Sequence, residues 1–317
     1  MANPCIAVLS RRIESAGTSI FKAKTFRKRR EIGWRLRTVE SLKKVFFLGA
    51  QEFNCSLLVE CGAHDGEISK IFTRGEDNYA IAIEANPNTF AEKTMLAAGP
   101  RVRVMNYALT NRDETVHLLI PTHEGILTPG NASILKNSDM TSHISLVVEG
   151  KMLDSIVSES DLHSHSVLWV DVEGMSLPLL QGATNFLSTG NCKMILVEVE
   201  TDQIWNNQAL DHDVDEYLQQ LGYLALLRDA QTKSQFNMVY VLEKDLNYWI
   251  NISADFWTDI ASIRLKNRDI FPLSIRDFLR ILKIRLLKNQ TGFLGKMIHR
   301  LAAIFGSKSS VERLRTL

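Results

Sequence analysis

The chain has 317 residues, long for one ordinary domain and short for three, and its 45% hydrophobic and 23% charged content excludes wholesale disorder and fibrous classes. It holds no uninterrupted run of 18 apolar residues, so no bilayer-spanning helix is expected, and MANPCIAVLSRR lacks the basic region that opens a signal peptide. The net charge of +1 divides into +9 over residues 1–50 (12 Lys/Arg, 3 Asp/Glu), −16 over 51–250 (12 and 28) and +8 over 251–317 (13 and 5).

In chain order, the basic segment 1–50 is expected to be helical. Val39, Leu42, Val45 and Phe46 stand at i, i+3, i+6 and i+7, on one helix face. The acidic segment 51–250 then alternates strands with helices. LLVEC (57–61), YAIAIE (79–84), VRVMN (102–106), VLWVDV (167–172), MILVEVE (194–200), YLALL (223–227) and FNMVYVL (236–242) have the near-continuous apolar character of buried strands. Asn86-Pro87 and Ser176-Leu177-Pro178 read as caps with proline in the first turn. Asp213 with Glu216 forms a capping-box pattern ahead of an apolar stripe that ends at Gly222.

Between 107 and 166 the rhythm breaks. HLLIPT and ISLVVEG look like strands joined by a polar loop over 122–143, an expected insertion near the site mouth. Beyond residue 250, Ile275, Phe278, Leu279, Leu282 and Leu286 form an apolar stripe opposed by basic residues, and a second basic amphipathic segment spans 293–305. Strand–helix alternation on this scale predicts an α/β fold with a doubly wound, mostly parallel seven-stranded sheet and helical flanks at both ends. Cys5, Cys55, Cys61 and Cys192 make no C-x-x-C pair, which fits a reduced, cytoplasmic setting.

Three segments carry chemistry. In LLVECGAHDGEIS an apolar strand ends in Glu60, followed by Gly62, Ala63 and Gly66, and a helix opens near Glu67. Glycines at a strand-to-helix turn admit a ligand close to the backbone. The spacing E-x-G-x-x-x-G departs from the dinucleotide fingerprint, and the acid ahead of the glycine suits a ligand with an ammonium group, such as S-adenosylmethionine. Glu84 ends the next strand, 24 residues after Glu60, where a carboxylate accepts hydrogen bonds from ribose hydroxyls. Asn106 follows the third strand, at a place suited to an adenine contact. In VLWVDVEGMSLPLLQGA, Asp171 and Glu173 stand at a strand's end, as a general base, metal ligands or partners for a cationic cofactor. Glu198 and Glu200 repeat the pattern one strand on.

In this order, VECGAHDGEIS, AIEANP, NYALTNRDETVHL, MLDSI, WVDVEGMSLPLLQGA and MILVEVE resemble the FkbM family of S-adenosylmethionine-dependent methyltransferases over roughly residues 55–245. The resemblance implies a class I methyltransferase (Rossmann-like) fold and methyl transfer, commonly to a hydroxyl oxygen of a sugar, glycan or other small molecule. It places Glu60, Gly62, Ala63, Gly66 and Glu84 around the cofactor and the Asp171/Glu173 pair near the reacting end. The chain departs from the family pattern at His64 and Asp65, and at Trp169, where a lysine is frequent.

Asp171 is the expected base, and a divalent cation held by Asp171 and Glu173 is the rival reading. A non-catalytic scaffold of the same fold is the alternative function, and a nicotinamide-dependent oxidoreductase a weaker one, since the middle glycine spacing is missing. The basic flanks, FRKRR (26–30) among them, fit ordinary packing, or peripheral contact with an anionic membrane; nucleic acid is disfavoured by the absence of interleaved aromatics.

Overall fold

The computed structural model describes residues 26–249, apart from 124, 125, 138–141, 230, 233 and 247. The chain divides into two units, Met1–Leu246 and Asn247–Leu317, and every element below belongs to the first. The amphipathic stripes expected at 275–286 and 293–305 lie outside the described residues.

Seven strands build the main sheet: β1 (Leu57–Cys61), β2 (Tyr79–Ile83), β3 (Val102–Met105), β8 (Ser166–Val170), β9 (Cys192–Glu200), β10 (Tyr223–Arg228) and β11 (Gln235–Leu242). Their spatial order is β10-β11-β9-β8-β1-β2-β3, and β11 alone runs antiparallel to its neighbours. The order turns back at β1, between β8 and β2. Crossovers leave this point in opposite directions and open a crevice at the strands' carboxyl ends. This is the architecture that the alternating pattern and the family resemblance imply.

Alternation along each strand sends side chains to two different layers. Leu57, Val59, Leu168, Val170, Ile195 and Val197 face one layer and pack with helices α6 (Ser176–Gln181), α7 (Thr184–Ser188) and α8 (Asp211–Gln220) through Leu179, Phe186 and Leu218. Glu60, Trp169 and Leu196, in register across β1, β8 and β9, face the other side. There α1 (Phe26–Glu52) covers the sheet with Leu42, Val45, Phe46 and Phe47 buried, and the Phe46 ring meets Trp169 edge-on at 5.3 Å. The stripe at Val39–Phe46 thus has its partner in the main sheet.

Two of the caps read from sequence differ from the structure. Asn86 does cap α3 (Pro87–Glu92), its side-chain oxygen accepting from Asn88 N at 3.1 Å. Ser176, however, already lies inside α6, and its hydroxyl donates to Glu198 O at 2.9 Å, so it ties helix to strand. Asp213 is likewise three residues into α8: its carboxylate accepts from Leu210 N at 2.8 Å and closes the helix start from within.

The segment that breaks the rhythm forms a second sheet of four strands in the order β4-β7-β5-β6. Its long pair is β5 (Glu114–His123) and β7 (Ser142–Lys151), antiparallel from Glu114↔Gly150 to Thr122↔Ser142; β4 (Ala108–Leu109) and β6 (Ile126–Leu127) are short edges. Two short helices, α4 (Leu153–Ile156) and α5 (Glu159–His163), lead back to β8, and α2 (Glu67–Phe72) follows β1. No helix among the described residues is long and apolar enough to cross a membrane.

Candidate functional site

A cavity of about 630 Å³ lies at the carboxyl ends of the central strands. Gly62 and His64 after β1, Glu84 and Ala85 after β2, Asp171 and Glu173 after β8, and Glu198 of β9 line it; from the second sheet and its loop come Tyr107–Leu109, Leu118 and Pro129–Ile134. Its size is in the range of small-molecule sites. The inserted sheet therefore supplies a wall of the cavity.

The turn after β1 is fixed by close backbone packing. Gly62 has φ +78°, and a Cβ there would lie 1.9 Å from Asp171 O, so any side chain would drive into the start of the β8 loop. The two segments are tied besides: Asp171 N donates to Cys61 O at 3.0 Å, and Gly62 N and Ala63 N both donate to Ile83 O at 2.9 Å. Gly66 caps α2 from a left-handed conformation.

The two acids read from this region have different surroundings. Glu60 is 3% exposed and does not line the cavity. Its carboxylate accepts from Ile68 N at 3.2 Å, from Ser69 N at 2.9 Å and from the Ser69 hydroxyl at 2.5 Å, so it holds the first turn of α2 in place. Burial pushes its pKa up to about 7, against those hydrogen bonds. Glu84 does line the cavity. One oxygen accepts from Asn86 N at 2.8 Å and the other from His64 N at 2.9 Å, which fixes the plane of the carboxylate and leaves each oxygen further accepting capacity. Burial raises its pKa, with the two backbone N–H groups opposing. The Asn106 amide donates to Glu84 O at 2.7 Å and to Ala85 O at 3.3 Å, bracing that loop. Ala63, Gly66 and Asn106 are not in the cavity lining.

Asp171 lines the cavity and is exposed to solvent. Desolvation by the neighbouring protein pushes its carboxyl above the ordinary range; the Lys43 ammonium of α1 pulls it down, Glu84 adds to the rise, and His64 opposes it. Glu173 is pushed up to about 8 by burial, then by Asp171 and Glu200. Glu198 is raised well above its usual value for the same reasons, and Glu200 to about 7 by burial and Asp171. Like charges this close cannot all ionise together, so part of the cluster holds protons near neutrality. Gln235 donates to Glu198 at 2.7 Å, and Gln208 to Glu200 at 2.5 Å. Among the described residues no group of three or more His, Cys, Asp or Glu is arranged to hold a metal ion.

Several lining residues have no motif to announce them. Trp205, Gln231, Gln235, Asn137 and Tyr107 add amides and aromatic faces to the side of the cavity beyond the acidic pair. Trp205 is 1% exposed and packs so tightly on Gly174 (φ +73°) that a Cβ there would lie 2.6 Å from its ring. A lone Trp in the polar run TDQIWNNQAL was the available signal. No Lys or Arg is among the described residues that line the cavity.

No curated protein sequence matches the chain at a significant level. Among solved structures, a magnesium protoporphyrin IX methyltransferase from Synechocystis PCC 6803 aligns at 9% identity over 72% of this chain and 93% of its own, with a TM-score of 0.38. A TehB-like methyltransferase from Corynebacterium glutamicum aligns at 8% over 63% and 87%, TM-score 0.35. A precorrin-6y C5,15-methyltransferase from Geobacter metallireducens aligns at 9% over 64% and 87%, TM-score 0.35. The family model of the methyltransferase FkbM domain matches residues 60–225, from the end of β1 into β10. With that match over more than half of its 317 residues, the chain belongs to the FkbM methyltransferase family.

Proposed function

We propose that the cavity binds S-adenosylmethionine beside Gly62 and Glu84, and that the protein methylates a hydroxyl oxygen of a sugar, glycan or other small molecule with Asp171 as general base. One observation carries this reading: a backbone-clamped carboxylate, Glu84, and a solvent-accessible one, Asp171, line the same cavity on either side of the Gly62 turn. The residues present fit the cofactor's chemistry. Glu84 has a free accepting position on each oxygen for a pair of ribose hydroxyls. A cavity with four carboxylates nearby and no lysine or arginine on its wall favours a ligand that carries positive charge. When bound, the cofactor supplies a methyl group activated on a sulfonium.

The chain's own residues do the rest. Asp171 accepts the proton of the acceptor hydroxyl as that oxygen takes the methyl group, an assistance of about 10²–10⁴-fold. Glu173, pushed up to about 8, keeps its proton near neutrality and donates a hydrogen bond that orients a polyhydroxylated acceptor. Tyr107 offers an apolar face, and Gln231 and Asn137 offer amides, as a sugar's mixed surface requires. The wall from the second sheet limits water around the reacting atoms.

Tritiated methyl transfer from S-adenosylmethionine to fractionated cell glycans, lipids and small metabolites tests the reading, with Asp171→Asn as control. Label in a glycan or sugar fraction, lost in the variant, is expected. Label confined to another fraction redirects the acceptor, and equal labelling by the variant removes Asp171 from the chemistry.

A further inference from the structure

The cavity is long in the direction that crosses the strands. Its wall runs from Glu84 after β2, past Gly62 after β1 and Asp171 after β8, to Glu198 in β9 and Gln235 in β11. In the order β11-β9-β8-β1-β2, the strands that carry Glu84 and Glu198 stand three places apart. Neighbouring strands are spaced by about 4.8 Å, so these two lie about 14 Å apart. A ribose held at Glu84 therefore leaves Glu198 at the far end, with Asp171 between them. Glu198 and Gln235 belong to the half of the cavity that receives the acceptor.

That half is rich in hydrogen-bond acceptors. Glu198 is 5% exposed, and the Gln235 amide nitrogen donates to its Oε1 at 2.7 Å. Its second oxygen takes no hydrogen bond from a described residue, and the side chain lines the cavity, so that oxygen is left to a ligand. The amide that serves Glu198 with its nitrogen keeps its own oxygen as an acceptor, and Glu173 adds another. No cation balances them on the wall. Arg35 donates to Gln231 O at 3.2 Å and Arg228 stacks over the Phe236 ring at 4.2 Å, and neither lines the cavity. The imidazole of His64, 2.8 Å from the Lys93 ammonium, stands beside Glu84 at the opposite end. Burial, with Asp171, Glu173 and Glu200 close by, also makes a bare charge on Glu198 unfavourable, which an arriving cation relieves.

We propose that the acceptor carries an amine, as an amino sugar does, and that Glu198, Gln235 and Glu173 receive its ammonium while a hydroxyl of the same molecule meets Asp171. The inference rests on the reading of this cavity as the methyl-transfer site and narrows the class of its acceptor. An ammonium has three donors, and the far end offers three acceptor groups on three different elements. The cofactor's positive charge does not satisfy them, because a cofactor seated at Gly62 and Glu84 ends near Asp171. A neutral sugar leaves the second oxygen of Glu198 without a charged partner. A phosphorylated or carboxylated acceptor would face Glu198 and Glu173 with no wall lysine or arginine to offset the repulsion, so the same residues reject it.

The test offers the full chain tritiated S-adenosylmethionine and cell metabolites split on a cation exchanger at pH 7 into a cationic pool and a neutral-plus-anionic pool. The cationic pool should take the label, and selective N-acetylation of that pool before the assay should abolish acceptance. Glu198→Gln keeps the shape of the side chain and an acceptor for the Gln235 amide. It should raise the KM for the cationic acceptor at least about tenfold, while S-adenosylmethionine affinity by calorimetry stays unchanged. Label confined to the neutral and anionic pool, or undiminished after N-acetylation, overturns the amine and leaves methyl transfer standing. An unchanged KM in Glu198→Gln overturns Glu198 as the receiving group. No label in either pool, from a chain that binds the cofactor, overturns this inference together with the proposed reaction.

Discussion

Replacing Gly62 by alanine perturbs the closest approach in the site. The residue has φ +78°, and the added Cβ would fall 1.9 Å from Asp171 O and 2.8 Å from Asp171 C. A left-handed backbone costs a residue with a Cβ about 1–2 kcal/mol. Relief of the overlap requires a backbone shift of more than about 1 Å, and the obstacle is a carbonyl in a tied segment, with Asp171 N bonded to Cys61 O at 3.0 Å. Overpacking of this kind costs roughly 1–3 kcal/mol, so the sum is about 2–5 kcal/mol.

For a domain of this size, each kcal/mol lowers the melting temperature by about 2–4 °C, which places the expected loss near 10 °C. Thermal unfolding followed by circular dichroism measures it, with Gly99→Ala as reference, because a Cβ at Gly99 meets nothing within 4 Å. The displaced carbonyl belongs to Asp171, so methyl transfer should fall more steeply than the folded fraction at the assay temperature. A Gly62→Ala melting point within about 2 °C of the Gly99→Ala value would refute the steric argument.

Further outcomes follow from the same contacts. Gly174→Ala, with φ +73° and a Cβ 2.6 Å from the Trp205 ring, should raise the acceptor KM while cofactor affinity holds, as steady-state kinetics and calorimetry can show. Gln208→Ala removes the donor to Glu200 and the acceptor for Ile204 N and Trp205 N, all at 2.5–3.0 Å, and should lower stability by about 2–4 kcal/mol in urea unfolding. Glu60, Glu173 and Glu200 titrate at about 7, about 8 and about 7 in the folded chain, above the ordinary 4.5, so the native state keeps protons that the unfolded state has released. Stability should therefore fall as pH rises from about 4.5 through about 8, and Glu173→Gln should flatten the upper part of that decline. A urea midpoint that climbs across this window would contradict the assignment.

Much of the fold was legible because parallel strands buried on both faces must be apolar throughout. LLVEC matches Leu57–Cys61 residue for residue, and the other six runs meet their strands within two residues at either end. Helix starts were less legible. A capping side chain and an in-helix serine that bonds a neighbouring strand look alike in sequence, as Ser176 shows. At the site, a motif marks which segment approaches the cavity but not where a carboxylate points. Glu60 and Glu84 read alike as strand-end acids, yet one closes α2 and the other lines the cavity. Gln231 comes from a loop without periodicity, so no local pattern could announce it, and Trp205 was marked only by standing alone in a polar run. The charge division marks a packing boundary: the basic helix meets the acidic domain through Phe46 and Trp169, 5.3 Å apart.

The most direct test of the account is calorimetric titration of the full chain and of Glu84→Gln with S-adenosylmethionine. Saturable binding by the wild-type chain, weakened at least about tenfold in the variant, is the expected result, since a charge-assisted acceptor is replaced by a neutral one. No binding by the wild-type chain, or equal affinity in Glu84→Gln, would contradict the placement of the cofactor in this cavity.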